Sequence, residues 1–236
     1  MKFAALTDHI DRDRIDAWAV HNEAQARLEK GEAIIMLSIG QEGNEQTPEE
    51  IVNAAITSLQ QGRHHYSAVE GNADLRESIA RYHARLCGQN VTAAQCTVHT
   101  GAQNALFSVA LCVLEAGDEV ILSEPHYTTY PATLTASGAT PIKLQVSKDN
   151  DFVLDPETIR DAITPRTKAI VLNSPSNPLG TLYTRDQYEA VLAMCLEHDI
   201  WLISDEVYTP IVEPQDRISP ASLPGADRVC VTISSL

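Results

Sequence analysis

From Cys96 onward the chain alternates short apolar runs with longer stretches whose apolar residues return every three or four positions. The runs are Cys96 to Thr100, Glu119 to Ser123, Thr140 to Val146, Lys168 to Leu172, Trp201 to Ser204 and Val229 to Ile233. Their length and near-continuous apolar character are those of strands covered on both faces. Between them, Ala102 to Leu114, Thr128 to Ala136, Pro156 to Ile163 and Arg185 to His198 read as helices. The last is announced by Thr184-x-x-Gln187, a capping box in which each side chain satisfies the other residue's backbone N–H. Alternation of this kind predicts an α/β fold, a mainly parallel sheet with helices on both faces.

The first hundred residues read differently. Arg14 to Glu29 places Ile15, Trp18, Asn22 and Ala26 at near-helical spacing and stops at Lys30-Gly31. An apolar segment, Ala33 to Ile39, closes on Gly40 and is followed by the polar Gln41 to Gln46. Thr47-Pro48-Glu49-Glu50 predicts a helix capped by Thr47 with Pro48 at its first position, running to Gln61-Gly62. A further helix over Ala73 to Cys87 sets Leu75, Ile79, Tyr82 and Leu86 on one face and closes at Gly88. The expected division is an N-terminal arm and helix over 1–35 and one large domain over 36–236, incomplete at its C-terminal end. No repeat, low-complexity tract or long linker interrupts it.

Bulk numbers narrow the function. With 236 residues and 44% hydrophobic content, the chain can bury a full core. A formal net charge of −15, with seventeen basic residues in no clustered run, argues against nucleic acid as a partner. No eighteen-residue apolar stretch predicts a membrane span, and Met1 to Asp11 lacks the pattern of a secretory leader, so a cytoplasmic location is expected. The five cysteines, Cys87, Cys96, Cys112, Cys195 and Cys230, form no C-x-x-C pair and read as reduced, mostly buried thiols. The eight histidines include no i, i+4 pair beside a glutamate, so no metal site is expected.

The chemistry gathers at strand ends, where ligands of open parallel sheets bind. Trp201 to Ser204 runs into Asp205-Glu206-Val207-Tyr208, and Lys168 to Leu172 runs into Asn173-Ser174-Pro175-Ser176-Asn177-Pro178-Leu179-Gly180. A lone Asp205 could simply cap the next turn; two polar strand ends side by side favour a ligand. Tyr127, after Glu124-Pro125, offers a flat face and a polar tip suited to a heteroaromatic ring, whereas Tyr130 reads as packing. Gly101-Ala102-Gln103 lies between a strand and a helix, where free N–H groups and a partial positive charge can cradle a phosphate. The dinucleotide pattern G-x-G-x-x-G is absent. Tyr66 reads equally as a packing residue or a ligand contact, and Gly40 as a tight turn or a close backbone approach.

Together these segments resemble the class I/II aminotransferases, fold type I enzymes that use pyridoxal 5′-phosphate, over nearly the whole chain. The resemblance implies that Asn177, of Asn177-Pro178-Leu179-Gly180, lies beside the phenolic oxygen of the cofactor with Tyr208, and that Asp205 meets the pyridine nitrogen. A carboxylate about 4 Å from that nitrogen contributes roughly 4 kcal/mol at an effective dielectric of about 20, some three pKa units toward the protonated ring. By the same resemblance Tyr127 stacks on the ring. Gly101, Ala102, Gln103 and Ser235 surround the phosphate, and Tyr66, in the Tyr66…Gly71…Leu75-Arg76 stretch, reaches the phosphate of a neighbouring subunit in a homodimer. Gly40 would approach the substrate carboxylate, although Gly40-Gln41-Glu42-Gly43 departs from the usual Gly-x-Pro-Asp.

The family's Ser-x-x-Lys segment implies a Schiff-base lysine just after Leu236, so no catalytic residue is expected within the chain. Lys143, Lys148 and Lys168 occupy no suitable strand end. The implied activity is transfer of an amino group between an amino acid and a 2-oxo acid. Ser219 to Gly225 and Asn173-Ser174-Pro175 look most like the bacterial arginine:pyruvate and aspartate-aminotransferase-like branch. The alternatives are a β-lyase on the same scaffold and a cofactor-binding chain without chemistry.

Overall fold

The computed structural model describes residues 7, 18–40 and 46–235, which divide into two compact units with their boundary between Val69 and Glu70. The first unit carries α1 (Ala19–Glu29) and α2 (Glu49–Gln60), neither with a buried residue. The predicted start of α1 at Arg14 and the polar stretch 41–45 lie outside the described residues. Helix α2 begins one residue later than its sequence predicts, because Pro48 is itself the extended flanking residue and no side chain caps the first turn. Glu49 and Glu50 complement the positive helix end instead.

The second unit opens with α3 (Ala73–Cys87), where Asn72 accepts the Asp74 N–H at 3.0 Å and Gly88 closes the helix in the left-handed region. The apolar run at Cys96 to Thr100, expected as a strand, is extended but belongs to no sheet. Its register is held from the side, by the Val98 N–H on the Glu70 carbonyl at 2.9 Å. Gly71 makes that approach possible, since a Cβ there would meet Val98 Cβ at 2.7 Å and the backbone φ is +101°.

Then follow α4 (Ala102–Val113), β1 (Glu119–Glu124), α5 (Tyr130–Thr135), β2 (Thr140–Gln145), α6 (Pro156–Ala162), β3 (Thr167–Asn173), α7 (Arg185–His198), β4 (Trp201–Asp205) and β5 (Cys230–Ile233). The strands pair in parallel in the order β2-β1-β3-β4-β5. Pro141, which cannot donate to a ladder, sits in edge strand β2. Alternation along the strands splits the core in two. Ile121, Ile170, Leu172 and Leu202 pack with Ile159 of α6 and Val191 and Leu192 of α7. Val120, Leu122, Ala169, Val171 and Ile203 pack with Leu106 and Ala110 of α4 and Leu134 of α5. Each fully buried aliphatic side chain contributes about 1.5–3 kcal/mol, so the two layers fix which face of the sheet every strand-end residue meets.

The cysteines depart from expectation. Cys195 alone is fully buried, Cys112 is exposed, the other three are half-buried, and none is paired.

Candidate active site

The chain leaves β1 for β2 on one side and returns to β3 on the other, so the carboxyl ends of β1 and β3 flank the point where the winding reverses. Crevices form there because the two connections diverge. Asn173, Asp205 and Ile233 are register partners on β3, β4 and β5 and end level with one another. The Asp205 carbonyl accepts both the Ser174 N–H and the Asn173 side-chain amide at 3.1 Å, which locks the backbone at the rim.

On this frame Asn177 and Tyr208 meet. Asn173 Oδ1 accepts the Asn177 N–H at 2.7 Å, and the Asn177 side-chain amide donates to the Tyr208 hydroxyl at 3.2 Å. Asp205 is 9% exposed and has the parity of Ile203, so its carboxylate meets the face covered by α4 and α5. One of its oxygens accepts the Val207 N–H at 3.1 Å, and the other accepts the Tyr130 hydroxyl. Burial raises its pKa, and the Tyr130 and Val207 hydrogen bonds oppose that rise. Tyr127 stands half-exposed with its ring edge-on to Tyr130, centroids 5.7 Å apart.

The Gly101-Ala102-Gln103 turn lies apart from this group. Gly101 has φ +101°, and the side where a Cβ would stand is open. It precedes α4 with no side-chain cap and no acidic residue in the first turn, so the Ala102 and Gln103 N–H groups are left free for an anion. Ser235 is exposed two residues past β5. A cleft of about 560 Å³ is lined by Gly101, Ala102, Ser234 and Ser235 among others, though not by Gln103, Tyr127, Asn177, Asp205 or Tyr208. A second cleft, of about 470 Å³ beside Lys168, Trp201 and Arg228, opens at the amino ends of the strands and touches none of the predicted residues. Gly40 and Tyr66 belong to the first unit, Gly40 with open space around it and Tyr66 fully exposed.

Two residues went unrecognised in the sequence. Tyr130 packs as expected, but its hydroxyl also holds Asp205; the available signal was its place one helical turn after Tyr127. Glu206, 1% exposed, accepts hydrogen bonds from Ser204 at 2.9 Å, Ser219 at 2.7 Å and Gln89 at 3.4 Å. Burial pushes its pKa up to about 7 against the Ser219 and Ser204 hydrogen bonds. His83 and Cys87 lie close to it, with one ligand-type atom of each residue within 4.8 Å of the others. Ser204 is a near neighbour, but Gln89 reaches the carboxylate across 117 positions, which spacing does not reveal.

Comparison with known proteins matches this arrangement to a family. The profile described as "Aminotransferase class I and II" matches residues 32–234. The arginine–pyruvate transaminase of Pseudomonas aeruginosa is 46% identical over 237 residues, covering 100% of the chain and 60% of that protein. The aspartate/prephenate aminotransferase of Thermus thermophilus is 37% identical over 202 residues, or 86% of the chain and 52% of that protein. Among solved structures, an aspartate aminotransferase from Thermus thermophilus with maleate superposes with a TM-score of 0.92 at 32% identity, over 99% of the chain and 60% of its own. An alanine aminotransferase from Pyrococcus furiosus superposes with a TM-score of 0.91 at 28% identity, over 100% of the chain and 59% of its own. The chain therefore spans between half and three-fifths of the length of these relatives. All four are named as aminotransferases or transaminases, which favours neither a β-lyase nor a chain without chemistry.

Proposed function

The chain belongs to the class I and II aminotransferases, and from that premise we propose that the protein transfers an amino group between an amino acid and a 2-oxo acid with pyridoxal 5′-phosphate as cofactor. The observation that carries the reading is the meeting, at adjacent strand ends, of a buried carboxylate with an amide–phenol pair, Asp205 beside Asn177 and Tyr208.

The donor set suits a phosphorylated hydroxypyridine. When bound, pyridoxal phosphate supplies an electron sink for the charge left on a substrate carbon that loses its proton. Asp205, an acceptor with unused lone pairs, holds a proton on a ring nitrogen. The Asn177 amide and Tyr208 hydroxyl bind a phenolate oxygen, and Tyr127 walls one face of the ring. The Ala102 and Gln103 N–H groups, with Gly101 and the Ser235 hydroxyl, hold a phosphate dianion. That the turn lacks acidic neighbours supports the assignment.

Gly40 is assigned to the substrate side and Tyr66 to the phosphate of a second copy in a homodimer; the full exposure of Tyr66 is consistent with a partner outside its own chain. A cytoplasmic location accords with five unpaired cysteines, and no helix among the described residues is long and apolar enough to cross a membrane.

The experiment is an amino-acid panel supplied to the protein at its natural length with pyruvate or 2-oxoglutarate. The expected outcome is a new amino acid formed in step with a new 2-oxo acid. Release of ammonia with pyruvate instead overturns the reading in favour of elimination. Inorganic phosphate should compete with cofactor binding more strongly than chloride at equal ionic strength, since chloride reports screening alone.

A further inference from the structure

We infer that Tyr130 is a positioning residue for the candidate active site: its hydroxyl holds one oxygen of Asp205 so that the carboxylate is presented in one orientation to the N–H⁺ group of a bound heteroaromatic ring. The inference rests on the reading of Asp205 given above and adds a residue to it.

Three observations carry it. The contact joins two buried side chains, Tyr130 at 4% and Asp205 at 9% exposure, so water does not compete for it freely. The Asp205 backbone is already fixed through its carbonyl by Ser174 and Asn173, which leaves rotation of the carboxylate as the remaining freedom. Val207 N–H holds one oxygen and Tyr130 the other; each donor alone permits the group to swing, and the two together do not. An ionised carboxylate offers about four acceptor sites, so two remain for a ligand.

Tyr130 also ties this carboxylate to the ring wall. Its N–H bonds the Tyr127 carbonyl at 3.0 Å, and the two rings meet edge to face at 75°. A shift of the Tyr127 ring is thereby coupled to the Asp205 hydrogen bond through one short turn.

The electrostatics point the same way. Burial drives the Asp205 pKa upward, and the hydrogen bond from the Tyr130 hydroxyl is the strongest influence opposing it. Burial and the Asp205 charge raise the phenol's own pKa far above its ordinary range, so it remains a donor at every working pH. The other titratable groups near the pair are the Tyr127 and Tyr208 phenols and the Glu206 carboxyl.

The test uses pyridoxamine 5′-phosphate, which carries the ring and the phosphate and needs no lysine to bind. Its affinity is followed by its own fluorescence from about pH 5 to 8 in wild type, Tyr130→Phe and Asp205→Asn. Tyr130→Phe should keep its alkaline plateau within about threefold, while the acid limb moves up by about one pH unit, a tenfold loss inside the limb. Glu206, whose burial also raises its pKa, is unchanged between the two proteins, so a displacement on replacing Tyr130 belongs to Asp205. In Asp205→Asn, adding Tyr130→Phe should cost nothing further, because the tyrosine acts through the acid. Uniform weakening with an unmoved limb makes Tyr130 a packing residue and overturns the inference. Wild-type affinity in Asp205→Asn overturns the assignment of Asp205 itself, a separate failure. Should Tyr130→Phe melt early, 3-fluorotyrosine at position 130, a stronger donor, must move the limb downward.

Discussion

Asp205 and Glu206 are neighbours in sequence, both buried acids at the end of β4, and the sheet sends them to opposite faces. Asp205 enters the layer under α4 and α5 with two donors and lone pairs to spare. Glu206 enters a buried polar pocket where Ser204, just before it on β4, Ser219 and the distant Gln89 supply three donors. Burial raises the pKa of both, so the shift alone does not mark the functional one. What differs is satisfaction and place: Glu206 takes three donors from its own protein, whereas Asp205 takes two and keeps lone pairs for a ligand at a strand-end rim.

The largest expected effect breaks the pair at Asp205. In the protein at its natural length, Asp205→Ala should lose turnover by roughly a thousandfold, the equivalent of the three pKa units a close carboxylate gives a ring nitrogen. Its melting temperature should fall far less than that of Glu206→Ala, because the lost acceptor strands only the Tyr130 hydroxyl and one N–H. Steady-state transfer and thermal melts measured on the same preparations check both halves. Turnover near wild type in Asp205→Ala would erase the distinction between the two acids.

The second effect belongs to Glu206 and is one of stability. Its folded pKa of about 7 lies above the ordinary glutamate value of 4.5, so the folded state holds the proton more tightly than the unfolded chain does. The resulting stabilisation is complete below about pH 4.5 and is lost as pH rises to about 7, a difference of about 3 kcal/mol. His83, whose pKa burial lowers, works in the opposite sense, losing its contribution as pH falls. The comparison must therefore be made between wild type and Glu206→Gln, which removes the carboxyl's titration and keeps its size, its pH-independent offset being set aside by comparing slopes. Urea midpoints taken across this range should converge toward acid pH in their dependence on Glu206 and diverge toward neutral. Parallel pH profiles would mean that Glu206 is already ionised in the fold.

Much of this was legible beforehand, for identifiable reasons. The boundaries of α7, Arg185–His198, follow from Thr184 and Gln187, whose reciprocal cap is local chemistry. Those of α3 follow from Asn72 and a left-handed Gly88. Strands β1, β3 and β4 were visible as apolar runs because both of their faces are covered, and the Asn177–Tyr208 meeting follows from the adjacency of β3 and β4. Cys96 to Thr100 is more polar than those runs, carrying Thr97, His99 and Thr100, and it has no strand partner. The Glu206 pocket was illegible because Gln89 reaches it across 117 positions. Tyr130 was half legible: its ring is core, and only the packing of α5 against β4 shows where its hydroxyl goes.

The smallest effect sharpens the comparison within the ligand-facing group itself. Tyr208 is 38% exposed, and its hydroxyl accepts from an Asn177 amide that water can also serve, so Tyr208→Phe should cost less than about 1 kcal/mol of stability. If the hydroxyl binds a phenolate oxygen, removing it takes one donor from an anion, and hydrogen bonds to charged groups are worth about 1.5–3 kcal/mol. The consequence is an upward shift in the pKa of the bound cofactor's absorption change, by about one to two units, with an almost unchanged melt. Asn177→Ala should shift it in the same direction, and the double variant should shift it by less than the sum if the two groups serve one oxygen. An unchanged spectrum in Tyr208→Phe, together with a clear loss of stability, would place Tyr208 with Glu206 among the residues that hold the fold.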